Sequence, residues 1–287
     1  MVTTVDAIKV QTYESYLRHL AQQGVARLRP WCMEVSEQSE GHNWDRMAAT
    51  TAIKKTTRKT PTPDQNTAVS RRKSIPVVYQ NGDTSEKADI AQIIVDINSN
   101  LVQAQGKSMA RAQDDEVIEA AVGPSRDGNG NSIAFDANQI VGDGTTSITF
   151  DMVTEVTEKF MANDIDPDEQ KVFVIGPKQA RKLLQLTEAT SGDYNALKPL
   201  TSKGYVESWM GYTWLLSTRL LAPSGGELDC FAMTRKAMGL QMNYDVWARV
   251  TEDPTISYAW RIYCEGSWGA IRVEDEHLVK VHVADTV

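Results

Sequence analysis

Residues 46–73 form a stretch that cannot build a core of its own. Eight cations (Arg46, Lys54, Lys55, Arg58, Lys59, Arg71, Arg72 and Lys73) face one acid, Asp64, giving a net +7, and the only large apolar residues are Met47, Ile53 and Val69. So little apolar surface cannot offset the entropy of ordering the segment alone. Thr56, Thr57, Thr60, Thr62 and Thr67 favour extended backbone, and no helical stripe runs through them. A coreless stretch this long, flanked by patterned sequence, is either functional or disordered. We read it as a long two-stranded excursion from a folded body.

Its charge suits two kinds of partner. Phosphates would be neutralised by it. So would an acidic protein surface: with a formal net charge of −8 overall and +7 in this stretch, the other residues sum to −15. No aromatic residue lies between Arg46 and Lys73 to stack on bases, which favours the protein partner. The overall acidity also argues against a chain that coats nucleic acid along its length.

The rest of the chain is globular in composition, with 41% hydrophobic and 24% charged residues, so whole-chain disorder is excluded. At 287 residues, two compact lobes or one lobe with large excursions is expected. No run of about 20 apolar residues occurs, so no membrane span is expected. No basic leader precedes an apolar run at the start, so the chain reads as soluble and made in a cytoplasm. Cys32, Cys230 and Cys264 stand far apart without a CxxC pair, as buried free thiols of a reducing compartment do.

Apolar spacing gives an outline of elements. Val5, Ile8, Tyr13, Tyr16, Leu17, Leu20, Ala21 and Leu28 predict a helix over 5–28, stopped by Pro30. It is either a packed core helix or an arm laid on a neighbour. Residues 85–123 hold the longest helical pattern, from a Ser85 cap through Ile90, Ile93, Ile94, Ile97 and Leu101 to Val117, Ile118 and Ala121, ended by Gly123-Pro124. With a break near Asp96–Ser99, the piece from Asp96 to Val122 would be a spine about 40 Å long. After a turn-rich segment, Ser147–Phe150 reads as a strand and Asp151 as the cap of a helix bearing Met152, Val153, Val156 and Phe160. Lys171–Gly176 reads as a buried strand, Pro177 as the first residue of a helix, and Tyr212–Ser217 as a strand. Strands are predicted at 230–233, 239–250, 256–264, 269–273 and 278–283, with Asp253-Pro254 turning a long hairpin.

Catalytic signatures fail one by one. Gly142-Asp143-Gly144 lacks the Gly-Lys-Ser/Thr of a phosphate loop, and Pro177 removes a donor where Gly176-Pro177-Lys178 would hold a phosphate. Asp127, Asn129 and Asn131 imitate the first ligands of a calcium loop, but Ser132 and Asn138 stand where glycine and glutamate are needed, so a tight turn is expected. His19, His42, His277 and His282 have no nucleophile context. Asp164, Asp166, Asp168 and Glu169 read as a solvated loop. No catalytic, cofactor-binding or metal-ligating residue is expected, and the chain reads as a structural protein, not an enzyme.

The order of parts (arm, basic extended loop, spine helix, compact α/β lobe, terminal strands) resembles the Hong Kong 97-type major capsid proteins of tailed bacteriophages. Leu20-Ala21-Gln22-Gln23 with Arg27-Leu28-Arg29-Pro30, Asp45-Arg46-Met47, Lys171 to Pro177, and Gly269 to Val273 before Val279-Lys280-Val281 are similar to segments of that family. The resemblance implies an α+β fold with N-terminal arm (1–45), extended β-hairpin loop (46–84), peripheral domain with spine helix (85–140), axial α/β domain (141–235) and C-terminal strands completing both domains (236–287). It implies self-assembly through pentamers and hexamers into an icosahedral shell around double-stranded phage DNA. A portal protein, a separate scaffolding protein and a decoration protein are implied as further partners. No cofactor and no membrane is implied. The location implied is the virion capsid, assembled in the bacterial host cytoplasm. The eight loop cations would contact the adjacent subunit, and Tyr13, Tyr16, Leu17 and Leu20 of the arm would grip neighbours. Reversing Arg71, Arg72 and Lys73 to Glu would then block shell closure with the subunit still folded. The alternatives are a cellular encapsulin-like nanocompartment shell, which would hold protein cargo, and an α/β enzyme with a basic substrate loop, which would need a pocket of converging titratable groups.

Overall fold

The computed structural model describes residues 22–86, 97–186 and 208–286. In chain order it has β1 (Met33–Ser36), β2 (His42–Met47), β3 (Val69–Ser74), β4 (Val77–Ser85), helix α1 (Ile97–Val122), β5 (Ser125–Arg126), β6 (Ser132–Ile133) and β7 (Ile140–Val141). Helix α2 (Phe150–Ala162), β8 (Lys171–Ile175), helix α3 (Pro177–Gln185), β9 (Ser208–Trp209), β10 (Tyr212–Leu216), β11 (Glu227–Thr234), β12 (Met238–Asp253), β13 (Ala259–Arg272) and β14 (Leu278–Ala284) follow. Two compact units share these elements: the larger takes Ala26–Val78, Ala112–Asp245 and Ser267–Val287, the smaller includes Tyr79–Arg111 and Val246–Gly266.

The larger unit is built on a mixed six-stranded sheet ordered β7-β14-β11-β8-β10-β9. All five residues of β8 are buried, as the apolar run Lys171–Ile175 requires of a central strand. It pairs in parallel with β10, from Tyr212↔Lys171 to Leu216↔Ile175, and antiparallel with β11. Phe173 stacks on Trp214 with ring centroids 4.4 Å apart, and Tyr212 meets Phe173 edge-on. Helix α2 lies along β14 and buries Val153, Val156 and Phe160. The Tyr212 hydroxyl reaches Thr157 Oγ1 at 3.0 Å, satisfying a polar atom that the packing would otherwise strand.

In the smaller unit the outer halves of β12 and β13 form the expected long hairpin. Its turn is held by the Asp253 carboxylate, which accepts from the Thr255 amide at 2.9 Å and draws Arg261 in at 3.4 Å. Ile262 and Cys264 are buried, and Gln105 Nε2 of α1 donates to the Ile262 carbonyl at 3.4 Å.

Several expectations need correction. Residues 22–28 are not helical; Pro30 sits at the start of a short 3-10 turn, Arg29–Trp31, and the 5–21 part of the predicted helix lies outside the described residues. Ser85 ends β4 instead of capping a helix, because the strand continues to it and buries it. Ser147–Phe150 is not a strand. Thr149, not Asp151, caps α2: its hydroxyl accepts the Met152 amide at 3.2 Å, and Phe150 is already helical. The two strands read at 256–264 and 269–273 are one, β13. Gly269 lies inside that strand, where a Cβ would collide with the Ile75 backbone.

The three thiols are free and buried, as expected. Burial pushes Cys32 and Cys230 up to about 12, so neither is a nucleophile at neutral pH.

Candidate functional site

The basic excursion has two parts with different physics. Its root is a ladder between β2 and β3, registered from His42↔Ser74 to Met47↔Val69. Alternation puts His42, Trp44 and Arg46 of β2 on the inner face, opposite Ser74, Arg72 and Ser70. Trp44 lies against Gly239, where a Cβ would come within 2.6 Å of the indole, so glycine is what lets the hairpin seat on β12. Trp44 Nε1 donates to Ser74 Oγ at 3.2 Å, and Ser74 Oγ donates to the fully buried Gln241 at 2.9 Å. The same Gln241 oxygen accepts the His42 amide at 3.0 Å.

The inner arginines of the root are used within the chain. Arg72, 5% exposed, pairs with Asp275. Arg46 reaches Glu274 and Glu276 at 3.3 Å and Asp275 at 3.7 Å. A third guanidinium, the completely buried Arg272, joins Asp275 at 2.6 Å through Nε and donates from Nη1 to the carbonyls of Ala121 (3.1 Å) and Gly123 (2.6 Å). Arg272 thus caps the C-terminal carbonyls of α1 with positive charge, where the helix dipole favours a cation. Burial lowers its pKa, and the Asp275 hydrogen bond opposes that shift. Sequence reasoning missed Glu274-Asp275-Glu276 as the counter-charge of the root; the signal was an acidic triplet between two strands.

Beyond the ladder the excursion is solvated. Residues 47–66 are all exposed, and only the step Ala48 to Ala68 (2.9 Å) and the Thr51–Gln65 clasp (3.2 Å) join the two limbs. The expected two-stranded form is therefore confined to the root, because Thr-rich limbs with no apolar face have nothing to hold a longer ladder. Arg58 and Lys59 occupy the turn at the tip, closed by Thr60 Oγ1 on the Thr57 carbonyl at 3.0 Å. Among the described residues Lys54, Lys55, Arg58 and Lys59 have no ion-pair partner. Arg71 pairs with Asp45 at 2.6 Å on the exposed face, and Lys73 is half-buried beside Gly41. The structure thus gathers Arg46 and Arg72 at the root and leaves the four tip and limb cations in solvent. Tyr13, Tyr16, Leu17 and Leu20 lie outside the described residues.

The loops that imitate ligand sites satisfy themselves. The Asp127 carboxylate accepts the amides of Asn129 (2.9 Å) and Asn131 (2.8 Å) and the Asn131 side chain (2.8 Å), which holds its pKa below the usual range. Asp143 does the same with Thr145. Among the described residues no group of three or more His, Cys, Asp or Glu is arranged to hold a metal ion, and no helix is long and apolar enough to cross a membrane.

A family model described as phage capsid protein matches residues 5–285. The chain belongs to the phage capsid protein family. Solved structures agree on the fold. The capsid of cyanophage P-SCSP1u superposes with a TM-score of 0.78 at 11% identity, covering 100% of this chain and 96% of the other. The mature capsid of bacteriophage PhiM1 gives 0.74 at 14% identity, covering 97% and 93%. The capsid of the native GTA particle gives 0.70 at 12% identity, covering 99% and 97%. No curated protein matches. The α+β fold expected from the sequence is thus the fold of phage capsid subunits. The capsid protein family and its fold are structural, not enzymatic.

Proposed function

We propose that this capsid shell protein is the major capsid protein of a tailed bacteriophage, self-assembling through pentamers and hexamers into an icosahedral shell that encloses double-stranded DNA. The observation that carries the reading is a subunit of capsid fold whose excursion is anchored at a buried root and exposed along its limbs, with four cations that meet no ion-pair partner among the described residues. Such a loop becomes ordered by lying on an adjacent subunit, and the −15 charge of the rest of the chain supplies an acidic surface for it. Lys54, Lys55, Arg58 and Lys59 make that contact, with Arg71 and Lys73 beside them, while Arg46 and Arg72 stiffen the root. The arm residues Tyr13, Tyr16, Leu17 and Leu20 grip neighbours. A portal protein, a separate scaffolding protein and a decoration protein complete the particle, which forms in the bacterial cytoplasm and becomes the virion capsid.

Negative-stain electron microscopy of the purified protein, alone and with its natural co-expressed neighbours, tests the proposal. Closed shells, pentamers or hexamers are expected. Shells that hold protein cargo in place of DNA would make the protein a nanocompartment subunit, and a uniform monomer or dimer under every condition would overturn the proposal.

A further inference from the structure

The +7 segment has a counterpart in the same chain. Residues 151–169 contain seven acids (Asp151, Glu155, Glu158, Asp164, Asp166, Asp168, Glu169) and one cation, Lys159, for a net −6. The fold sorts them onto one surface. Asp151, Glu155 and Glu158 stand at i, i+4 and i+7 of α2, opposite the buried Val153, Val156 and Phe160. The chain then turns outward, and Asp164, Asp166 and Asp168 are all exposed. Lys171, 8% exposed, fixes that turn from beneath: its ammonium donates to the carbonyls of Asp166 (2.9 Å), Pro167 (3.1 Å) and Glu169 (3.1 Å). The backbone oxygens of the turn are thereby satisfied and the carboxylates are left to face solvent.

Several acids elsewhere have cations in their own chain, as Asp115 has Arg219, Asp245 has Arg29, Glu274 has Arg46 and Asp285 has Lys178. On the α2 ridge Glu155 meets Lys159 and Glu169 meets Lys236, but among the described residues Asp151, Glu158, Asp164 and Asp168 have no cation partner. No described ion pair joins the basic loop to this ridge within one chain. Among the described residues, Lys54, Lys55, Arg58 and Lys59 of the loop and Asp151, Glu158, Asp164 and Asp168 of the ridge are therefore left without an ion-pair partner.

We infer that the tip and limb cations Lys54, Lys55, Arg58 and Lys59 of one subunit dock on the acidic ridge of α2 and the 164–168 turn of a second copy. This rests on the proposed inter-subunit role of the loop and names its partner surface. The contact is head-to-tail, because the loop of one copy meets a different surface of the next. Heterologous contacts of this kind close into rings when the rotation between copies permits, which is the geometry pentamers and hexamers need. Exposed charge pairs add little affinity singly but enforce register and penalise wrong neighbours, so the contact sets which face meets which.

A charge swap tests it. One variant carries Lys54→Glu, Lys55→Glu and Arg58→Glu; a second carries Asp151→Lys, Glu158→Lys and Asp168→Lys; a third carries all six changes. Assembly is read by sedimentation and electron microscopy, and folding by circular dichroism and Tm. Each triple variant should fold as the parent does and lose about tenfold or more of its capsomers and shells through like-charge repulsion, and the six-fold variant should regain most of them. If the parent assembles and the loop variant fails while the ridge variant assembles normally, or if the six-fold variant is no better than the triples, the ridge is not the partner although the loop's role stands. If the parent itself forms neither capsomers nor shells, the proposed function falls first.

Discussion

Replacing Asp275 by alanine is a direct test of how the root is built. Three guanidiniums converge on it: Arg272, whose side chain is 1% exposed, Arg72 at 6%, and Arg46 at 18%. Arg46 keeps Glu274 and Glu276 after the change, and Arg272 keeps the α1 carbonyls, but Arg72 loses its only ion-pair partner among the described residues and Arg272 its carboxylate. Removing one member of a buried charge pair costs about 3–5 kcal/mol, since the remaining charge stays desolvated. Set against a total stability of about 5–15 kcal/mol, that is a large share. At about 2–4 °C per kcal/mol for a chain of this size class, Tm should fall by roughly 6–20 °C. Thermal and urea unfolding of the unassembled subunit measures it. A fall of less than about 2 °C, on the same scale, would refute the claim that the root is an electrostatic clamp. Replacing Lys54, Lys55, Arg58 and Lys59 by alanine is the matched control: these exposed side chains, without an ion pair among the described residues, should change stability by less than about 0.5 kcal/mol.

Three further outcomes follow from the same geometry. Arg72→Glu places a carboxylate beside Asp275 and should prevent stable folding in an expression and unfolding assay, whereas Arg71→Glu, on the exposed face beside Asp45, should leave Tm nearly unchanged; reversal of Arg71, Arg72 and Lys73 together is therefore now expected to cost folding through Arg72. Thr149→Ala removes the α2 cap and should cost about 1 kcal/mol by urea unfolding. His277 is partly buried, with its Nδ1 2.8 Å from Thr234 Oγ1, and desolvation lowers its pKa. A base depressed in the folded state is protonated first in the unfolded chain, so stability is full above the usual imidazole value of about 6.5 and declines as pH falls through it. His277→Gln should flatten the slope of Tm between pH 7 and pH 5, and an unchanged slope would count against this role.

Much of the architecture was legible because local rules and tertiary context agreed. The buried strand Lys171–Ile175, the proline-started helix after it, the spine through Val122 and the hairpin at Asp253-Pro254 each follow from apolar period, a fixed φ or a turn residue, and packing reinforces them. The misreadings fall where one short pattern serves two structures. Ile148 and Phe150 alternate like a strand, yet a Thr149 hydroxyl bound to the Met152 amide makes Phe150 helical. The stretches 256–264 and 269–273 read as two strands, yet they are one, with Gly269 inside it where the Ile75 backbone comes close.

The basic excursion shows where the division lies. Its net charge, its missing core and its extended bias are properties of composition and are independent of the fold. Which of its cations are available to a neighbour is a different matter, because ion pairing depends on distances between residues about 200 positions apart. Arg46 and Arg72 look the same in sequence as Arg58 and Lys59, but the strand register brings the first two to Glu274, Asp275 and Glu276 and leaves the others in solvent. Likewise the acids of 151–169 are visible as letters, and only the helix phase and the Lys171-braced turn gather them on one outward face. Sequence alone determined the kinds of surface this chain presents, since charge and apolar content are additive along it; the tertiary structure decided which charges are spent inside the subunit and which remain for the next one, since Coulomb and hydrogen-bond energies depend on where residues meet in space.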